Sequence, residues 1–201
     1  GLIMLTVITP AASQRLTTIP AIRDHLMIGD EVSEIYLGDL IDRASAVVVR
    51  YCNRAFALET VRQVFRSGCG DVLQLSRWPV VAVQSVTASG AVAADQYEVD
   101  AVNGVLYRLA GARWYGRVEV IYRAGYVLPG DDGRTLPADV EQAVTALVAA
   151  EFHGRGRDPS LREERTEGAG STSYTVGSLG DDGLAADVAG LLHRHRVPVV
   201  S

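Results

Sequence analysis

Apolar positions early in the chain recur at helical spacing, and the pattern then switches to a period of two. In "LTTIPAIRDHLMIGD", Thr17 or Thr18 is placed to cap a short helix, with Pro20 in its first turn, Ile22 and Leu26 on one face and Gly29 at its end. From Glu31 to Cys52, Val32, Ile35, Tyr36, Leu40, Val47, Val48 and Tyr51 mark a long helix, and Leu37, Ile41 and Ala44 widen its stripe. The segments "ETVRQVF", "DVLQL", "AVQSVTASG", "QYEVD", "GVLYRL" and "RVEVIYR" then alternate, each bounded by Gly, Asp, Asn or Pro, and predict strands. Asn103-Gly104 predicts a type I′ hairpin turn. Val118, Val120 and Tyr122 are expected on one face of the last strand, with Glu119 and Arg123 on the other. Helical spacing returns after Pro137, where Asp139 and Glu141 favour a helix start and Val140, Ala143, Val144, Leu147, Val148 and Phe152 form the stripe.

This order of elements predicts an α+β fold. Helices at about 18–28, 31–52 and 137–155 form an antiparallel core, with the β-region of about 57–123 inserted between them. Residues 1–156 make the globular domain, opening on an extended segment that ends at Pro10. The stretch "GRGRDPSLREERTEGAGS" has too little apolar surface to pack, so 157–170 reads as a linker. Beyond it, 171–201 forms a C-terminal arm: a β-prone strand, "STSYTVG", with no obvious partner, then a short helix. Leu184, Val188, Leu191 and Leu192 fall at i, i+4, i+7 and i+8 of that helix. So short a helix is marginal in isolation, and its stripe requires a cover.

Composition narrows the function classes. The 201 residues are 48% hydrophobic, enough for a substantial core. Against 24 acidic residues stand 19 basic ones, all of them Arg, and a net charge of −5 argues against a general grip on nucleic acid. Cys52 and Cys69 are too few for a disulfide framework and lack zinc-site spacing, so free thiols are expected. No apolar run approaches the roughly 20 residues of a membrane helix, and "GLIMLTVITP" lacks a charged signal region, so the chain reads as cytoplasmic in origin.

Each candidate for chemistry has a simpler structural explanation. His193 and His195, two apart on a helix, point away from each other and read as a basic helix end, while His25 and His153 are isolated within helices. Asp131-Asp132-Gly133 and Asp181-Asp182-Gly183 lack the spaced ligands of a calcium loop and suit turns or caps. Gly68-Cys69-Gly70-Asp71 shows no accompanying Cys/His/Asn set. Trp78, Trp114 and Tyr115 offer an aromatic surface or, beside Pro79 and Gly116, pin the loops of a sheet. Arg155, Arg157, Arg162 and Arg165 are nearly cancelled by Asp158, Glu163, Glu164 and Glu167. No dinucleotide fingerprint, phosphate loop, serine elbow or zinc-protease motif occurs, so no enzyme, cofactor or metal is expected.

The succession "LTVITPAASQRLTTIPAIRDHLMI", "IYLGDLIDRASAVVVRYCNRAF", "VEVIYRAGY" and "LPADVEQAVTALVAAEFHGR" resembles the phage head-tail connector (adaptor) family, and the resemblance spans nearly the whole chain. It implies a non-catalytic virion structural protein of a phage, prophage or gene transfer agent, assembled in the bacterial host cytoplasm. About twelve copies would form a ring beneath the portal, extend its DNA channel and meet tail-side neck proteins, with DNA only as passing cargo. A stopper or tail-completion protein one layer lower is the alternative. Tyr36, Arg43, Arg50, Trp114 and Tyr115 are the candidate ring-interface residues, and a negative channel would let DNA slide. The arm is expected to dock on the portal through Ser173, Tyr174, Thr175, Val176, Leu184, Val188, Leu191 and Leu192, with the strand added to a partner's sheet edge. The competing expectation is that the arm folds back onto its own domain or a neighbouring subunit.

Overall fold

The computed structural model describes residues 3–155, 163–166, 170–173 and 184–197. It is α+β and divides into two compact units, each assembled from two separated stretches of chain: 1–14 with 55–135, and 15–54 with 136–201.

The first unit is built of strands. β1 (Ile3–Thr9), β2 (Glu59–Gly70), β7 (Trp114–Ala124) and β4 (Val80–Thr87) lie in that order in an antiparallel sheet, and β3 (Val72–Gln74), β6 (Val105–Arg108) and β5 (Tyr97–Asp100) form a second. All six predicted strand segments are present, but the β-region is not purely an insertion. The opening segment Ile3–Thr9 is a strand of the sheet, held antiparallel to β2 from Ile3↔Phe65 to Thr9↔Thr60. A run of β-branched and aliphatic residues needs only a long neighbouring strand to pair, and β2 supplies twelve residues.

One core joins the two sheets. Val61 and Phe65 of β2, Val118, Val120 and Tyr122 of β7 and Val86 of β4 cluster with Leu73 and Leu106 of the smaller sheet. β7 shows the expected alternation: Val118, Val120 and Tyr122 are wholly buried, and Arg123 is exposed. Tyr122 and Gln63 pair their buried polar groups in this core, as desolvation demands, whereas Trp114 Nε1 is buried with no hydrogen-bond partner among the described residues. The Tyr122 hydroxyl donates to Gln63 Oε1 at 2.7 Å and accepts from Arg77 N at 3.2 Å, while Gln63 Oε1 also accepts from Ser76 N at 2.8 Å. At the end of β7, Gly125 sits at φ +116°, and a Cβ there would lie 2.2 Å from Ala57 O, so this turn accepts only glycine.

The β5–β6 hairpin occurs where Asn103-Gly104 predicts one, with a different turn. Asp100 pairs with Val105 across a four-residue loop, and only Gly104, at φ +67°, is left-handed; Asn103 is not. Asp100 explains the change: its carboxylate accepts from the Asn103 backbone N at 3.1 Å and side-chain Nδ2 at 2.7 Å, closing a wider turn than the two-residue form.

The second unit is mainly helical. α1 (Ile19–Leu26) is capped by Thr18, whose hydroxyl accepts from Ala21 N at 3.3 Å, and it ends at Met27, which takes the left-handed conformation two residues before Gly29. α2 (Glu34–Cys52) and α3 (Ala138–Gly154) pack together through Leu37, Leu40, Ile41, Ala44 and Val48 on one side and Val140, Ala143, Val144 and Val148 on the other. β8 (Glu163–Thr166) pairs antiparallel with β9 (Gly170–Ser173), so the stretch expected to be a featureless linker contains a strand. α4 (Ala186–Leu192) continues into one 3-10 turn, His193–His195.

Candidate interaction surfaces

α4 carries its apolar stripe on one side only, and its own unit covers that side. Leu184, Val188 and Leu192 are buried and Leu191 is half-buried, with α4 packed on α3 and α2. Polar contacts lock the segment that follows. Asp139, in the first turn of α3, accepts from Arg194 Nε at 2.7 Å and Arg194 Nη2 at 2.6 Å, and meets His195 Nε2 at 2.8 Å. Burial pushes the Asp139 carboxyl up, but the hydrogen bonds from His195 and Arg194, with their charges, outweigh it and hold the group below the ordinary carboxylate range. Val197 N then donates to Cys52 O at 2.9 Å, and Arg196 lies 5.1 Å over the Tyr51 ring.

These contacts cover the apolar stripe of the arm within its own unit. A side chain with no exposed surface has none to offer a partner, so Leu184, Val188 and Leu192 are not a docking face in this conformation. Residues 184–197 pack within their own unit, against α3 and α2. Over Ser171, Thr172 and Ser173 the strand is not unpartnered either, because it pairs with Arg165, Glu164 and Glu163 of the same chain. Tyr174, Thr175 and Val176 lie outside the described residues, as do Asp181-Asp182-Gly183, Arg157 and Arg162.

The five ring-interface candidates are dispersed. Trp114 is 1% exposed and sits in the sheet core beneath Arg108, whose guanidinium lies 5.1 Å over its ring. Its neighbour on β7, Tyr115, points the other way and is 68% exposed. In the helical unit Tyr36 is half-buried under Arg155 at 4.7 Å, Arg43 binds Glu151 Oε1 through Nη2 at 2.6 Å and Nε at 3.1 Å, and Arg50 is exposed.

Other apolar residues are exposed, among them Ile35, which the helical pattern places on the α2 stripe but which is 79% exposed. On β1, Ile3, Met4, Val7 and Ile8 are 40–50% exposed, and Met27 and Ile35 stand out beside the α1–α2 turn. The signal for β1 was present in "IMLTVIT", a strand-forming run without a charge. Nothing local could pair Asp139 with His195, 56 positions away.

A depression of about 180 Å³ is lined by Val47, Arg50, Tyr51, Leu184 and Arg196, and one of about 250 Å³ lies beside Gln96, Arg108 and Tyr115; both fall below the usual size of small-molecule sites. Burial raises the Cys52 thiol to about 11, which keeps it protonated and unreactive at neutral pH. Among the described residues no cluster of three His, Cys, Asp or Glu could hold a metal ion, and no helix is long and apolar enough to cross a membrane.

Neither a family model nor a curated protein sequence matches the chain. Solved structures do. A chain from the neck of an empty gene transfer agent particle, computed with C6 symmetry, is 24% identical over 98% of this chain and 97% of that one, with a TM-score of 0.61. A chain from the virion of a native gene transfer agent particle is 22% identical over the same shares at 0.63, and one from a native neck computed with C12 symmetry is 23% identical over the same shares at 0.58. The chain therefore shares, end to end, the fold of chains found in gene transfer agent particles, two of them from symmetric necks.

Proposed function

We propose that this protein is a structural component of the neck of a phage-like particle, a head-tail connector whose copies form a ring beneath the portal, prolong the DNA channel and receive the tail-side proteins. The observation that carries the reading is the end-to-end likeness to chains from necks computed with C6 and C12 symmetry. A closed cyclic ring is the assembly such symmetry describes, and its work is done by interfaces rather than by a pocket. The net charge of −5 suits a channel past which DNA slides, because each phosphate neutralised would add grip.

The test is to mix the purified full chain with a purified portal from a gene transfer agent or related particle and examine the product by native mass spectrometry and electron microscopy. A ring of about twelve copies stacked on the portal is expected. A chain that binds a preformed connector but not the portal would instead occupy the stopper layer. A chain that binds neither and remains monomeric sinks the neck assignment.

A further inference from the structure

The larger sheet of the first unit ends on two uncharged edges. β1 reads IMLTVIT and β4 reads VVAVQSVT, without a charged residue or a proline in either. Native sheets usually blunt an open edge with charge, proline or a covering element, because its unpaired N–H and C=O groups template another strand. Among the described strands β1 has β2 as its one neighbour and β4 has β7. The outer edge of β4 is occupied at both ends: Val80 N donates to Ala101 O at 2.7 Å, and Val86 O accepts from Val92 N at 2.9 Å. Residues 81–85 remain between them, an ordinary length for a strand pairing. Both edges carry exposed apolar side chains, Ile3, Met4, Val7 and Ile8 on β1 and Val81, 57% exposed, on β4.

We infer that β1 of one copy adds to the 81–85 edge of β4 in the next copy, so that unlike edges of the same sheet join the ring. The inference rests on the ring reading above and supplies its contact. Each neighbouring pair in the order β1-β2-β7-β4 is antiparallel, so β1 and β4 run in opposite directions. A second copy displaced along the sheet therefore brings its β1 antiparallel to β4 of the first, and the alternation continues without turning the copy over. Pairing β1 with β1 would need a two-fold axis and would stop at a dimer; only a head-to-tail joint of unlike surfaces closes into a ring. The register shifts at Val7/Thr9 in β1 and at Val80/Ala82 and Val83/Ser85 in β4 add twist at both edges, and bulges of this kind give sheets the curvature that closure demands.

Two substitutions at exposed mid-strand positions test this, Val7→Lys on β1 and Ser85→Lys on β4. Native mass spectrometry follows the full chain alone and with portal, at concentrations where the wild type assembles. Each variant alone is expected to associate at least about tenfold more weakly, because its own β1–β4 joint is spoiled. Mixed in equal amounts, the two variants should form one-to-one dimers and nothing larger. The Val7→Lys copy keeps a sound β4 and the Ser85→Lys copy a sound β1, while the remaining two edges are both blocked. In wild-type assemblies, amide exchange across 3–9 and 81–85 should slow by at least about tenfold. Rings that form unchanged from either variant, a mixture without the dimer, or assemblies without protection at these edges overturn the edge pairing and leave the ring reading standing. A wild-type chain that stays monomeric with and without portal overturns both.

Discussion

β1 and α4 are short apolar elements from opposite ends of the chain, and they end in opposite states. In the helical unit, Leu184, Val188 and Leu192 retain at most 5% of their surface; in the strand unit, Ile3, Met4, Val7 and Ile8 retain 40–50%. The cause lies in periodicity. A helix with one stripe is satisfied when one neighbouring layer covers that stripe. A strand whose apolar residues alternate to both faces, as Ile3, Leu5 and Val7 do against Met4 and Ile8, needs cover on both, and here members of both sets stay exposed. An edge strand adds an unpaired row of backbone groups. Surface available to a partner is therefore expected where the pattern cannot be satisfied from one side.

Opening the closed element is the strongest way to break this contrast. Leu192 is wholly buried, and Leu192→Ala should cost about 2–5 kcal/mol from lost transfer energy and the cavity left behind. A seven-residue helix cannot absorb that loss, so α4 should detach before the rest of the unit unfolds. Hydrogen exchange would show residues 186–195 losing protection while α2 and α3 keep theirs. Unchanged protection of α4 would mean that its stripe is not what holds it. The same reasoning makes truncation of the whole arm a poor probe of portal docking, because it also uncovers α3.

Much of this was legible from the sequence, within limits set by range. Helices and strands repeat a local pattern, so every predicted strand segment from "ETVRQVF" to "RVEVIYR" and the three main helices appear where the periodicity places them. Turn type already escapes, because Asp100 overrides the preference of Asn103-Gly104 from three residues away. Partnership escapes entirely. The stripe Leu184, Val188, Leu192 states that a cover is needed without saying whose, and "IMLTVIT" states that a strand will form without saying that β2, some 50 residues on, will take one edge and leave the other. Trp114 and Tyr115 show the same limit in miniature: alternation says that they part, and only the sheet says which goes inward.

The strand unit's core can be weakened without touching its edges. Tyr122→Phe removes the hydroxyl that donates to Gln63 and accepts from Arg77 N, leaving a half-buried donor unpaired at a cost of about 1–3 kcal/mol. Burial, opposed by hydrogen bonding and charge from Arg77, raises the Tyr122 hydroxyl from its ordinary 10.0 to about 12. A group raised in the folded state contributes stability fully present below pH 10.0 and lost as pH climbs towards 12. The wild type should thus lose stability over that window, and Tyr122→Phe should lose less. Equal alkaline losses in the two proteins would remove Tyr122 from the account. Assembly at neutral pH should survive the substitution, which separates core from edge.

A smaller effect measures how far ion pairing aids the stripe in closing α4. Asp139→Asn keeps the shape and removes the charge facing Arg194 and His195; with Arg194 largely exposed, the loss should be about 1 kcal/mol. Asp139 is held below its ordinary 3.8, so its contribution is present above that pH and disappears as pH falls through the depressed value. Exchange protection of 186–195 should therefore be lower in the variant at neutral pH and converge with the wild type in acid. A difference that persists undiminished in acid would assign the effect to shape rather than charge.

Arg43→Ala is expected to change the stability of the isolated chain least. Its partner Glu151 is about as exposed as Arg43 itself, and water screens such pairs so well that a melt should scarcely move. That indifference makes the variant informative about assembly. If Arg43 lies at a ring interface, substitution will weaken association of the copies while leaving the monomer's melting curve in place, because a charge that is solvated in the monomer becomes desolvated and specific only in the ring. If association is unchanged while Val7→Lys abolishes it, the joint belongs to the strand unit, and the helical unit's surface ion pairs are incidental to it.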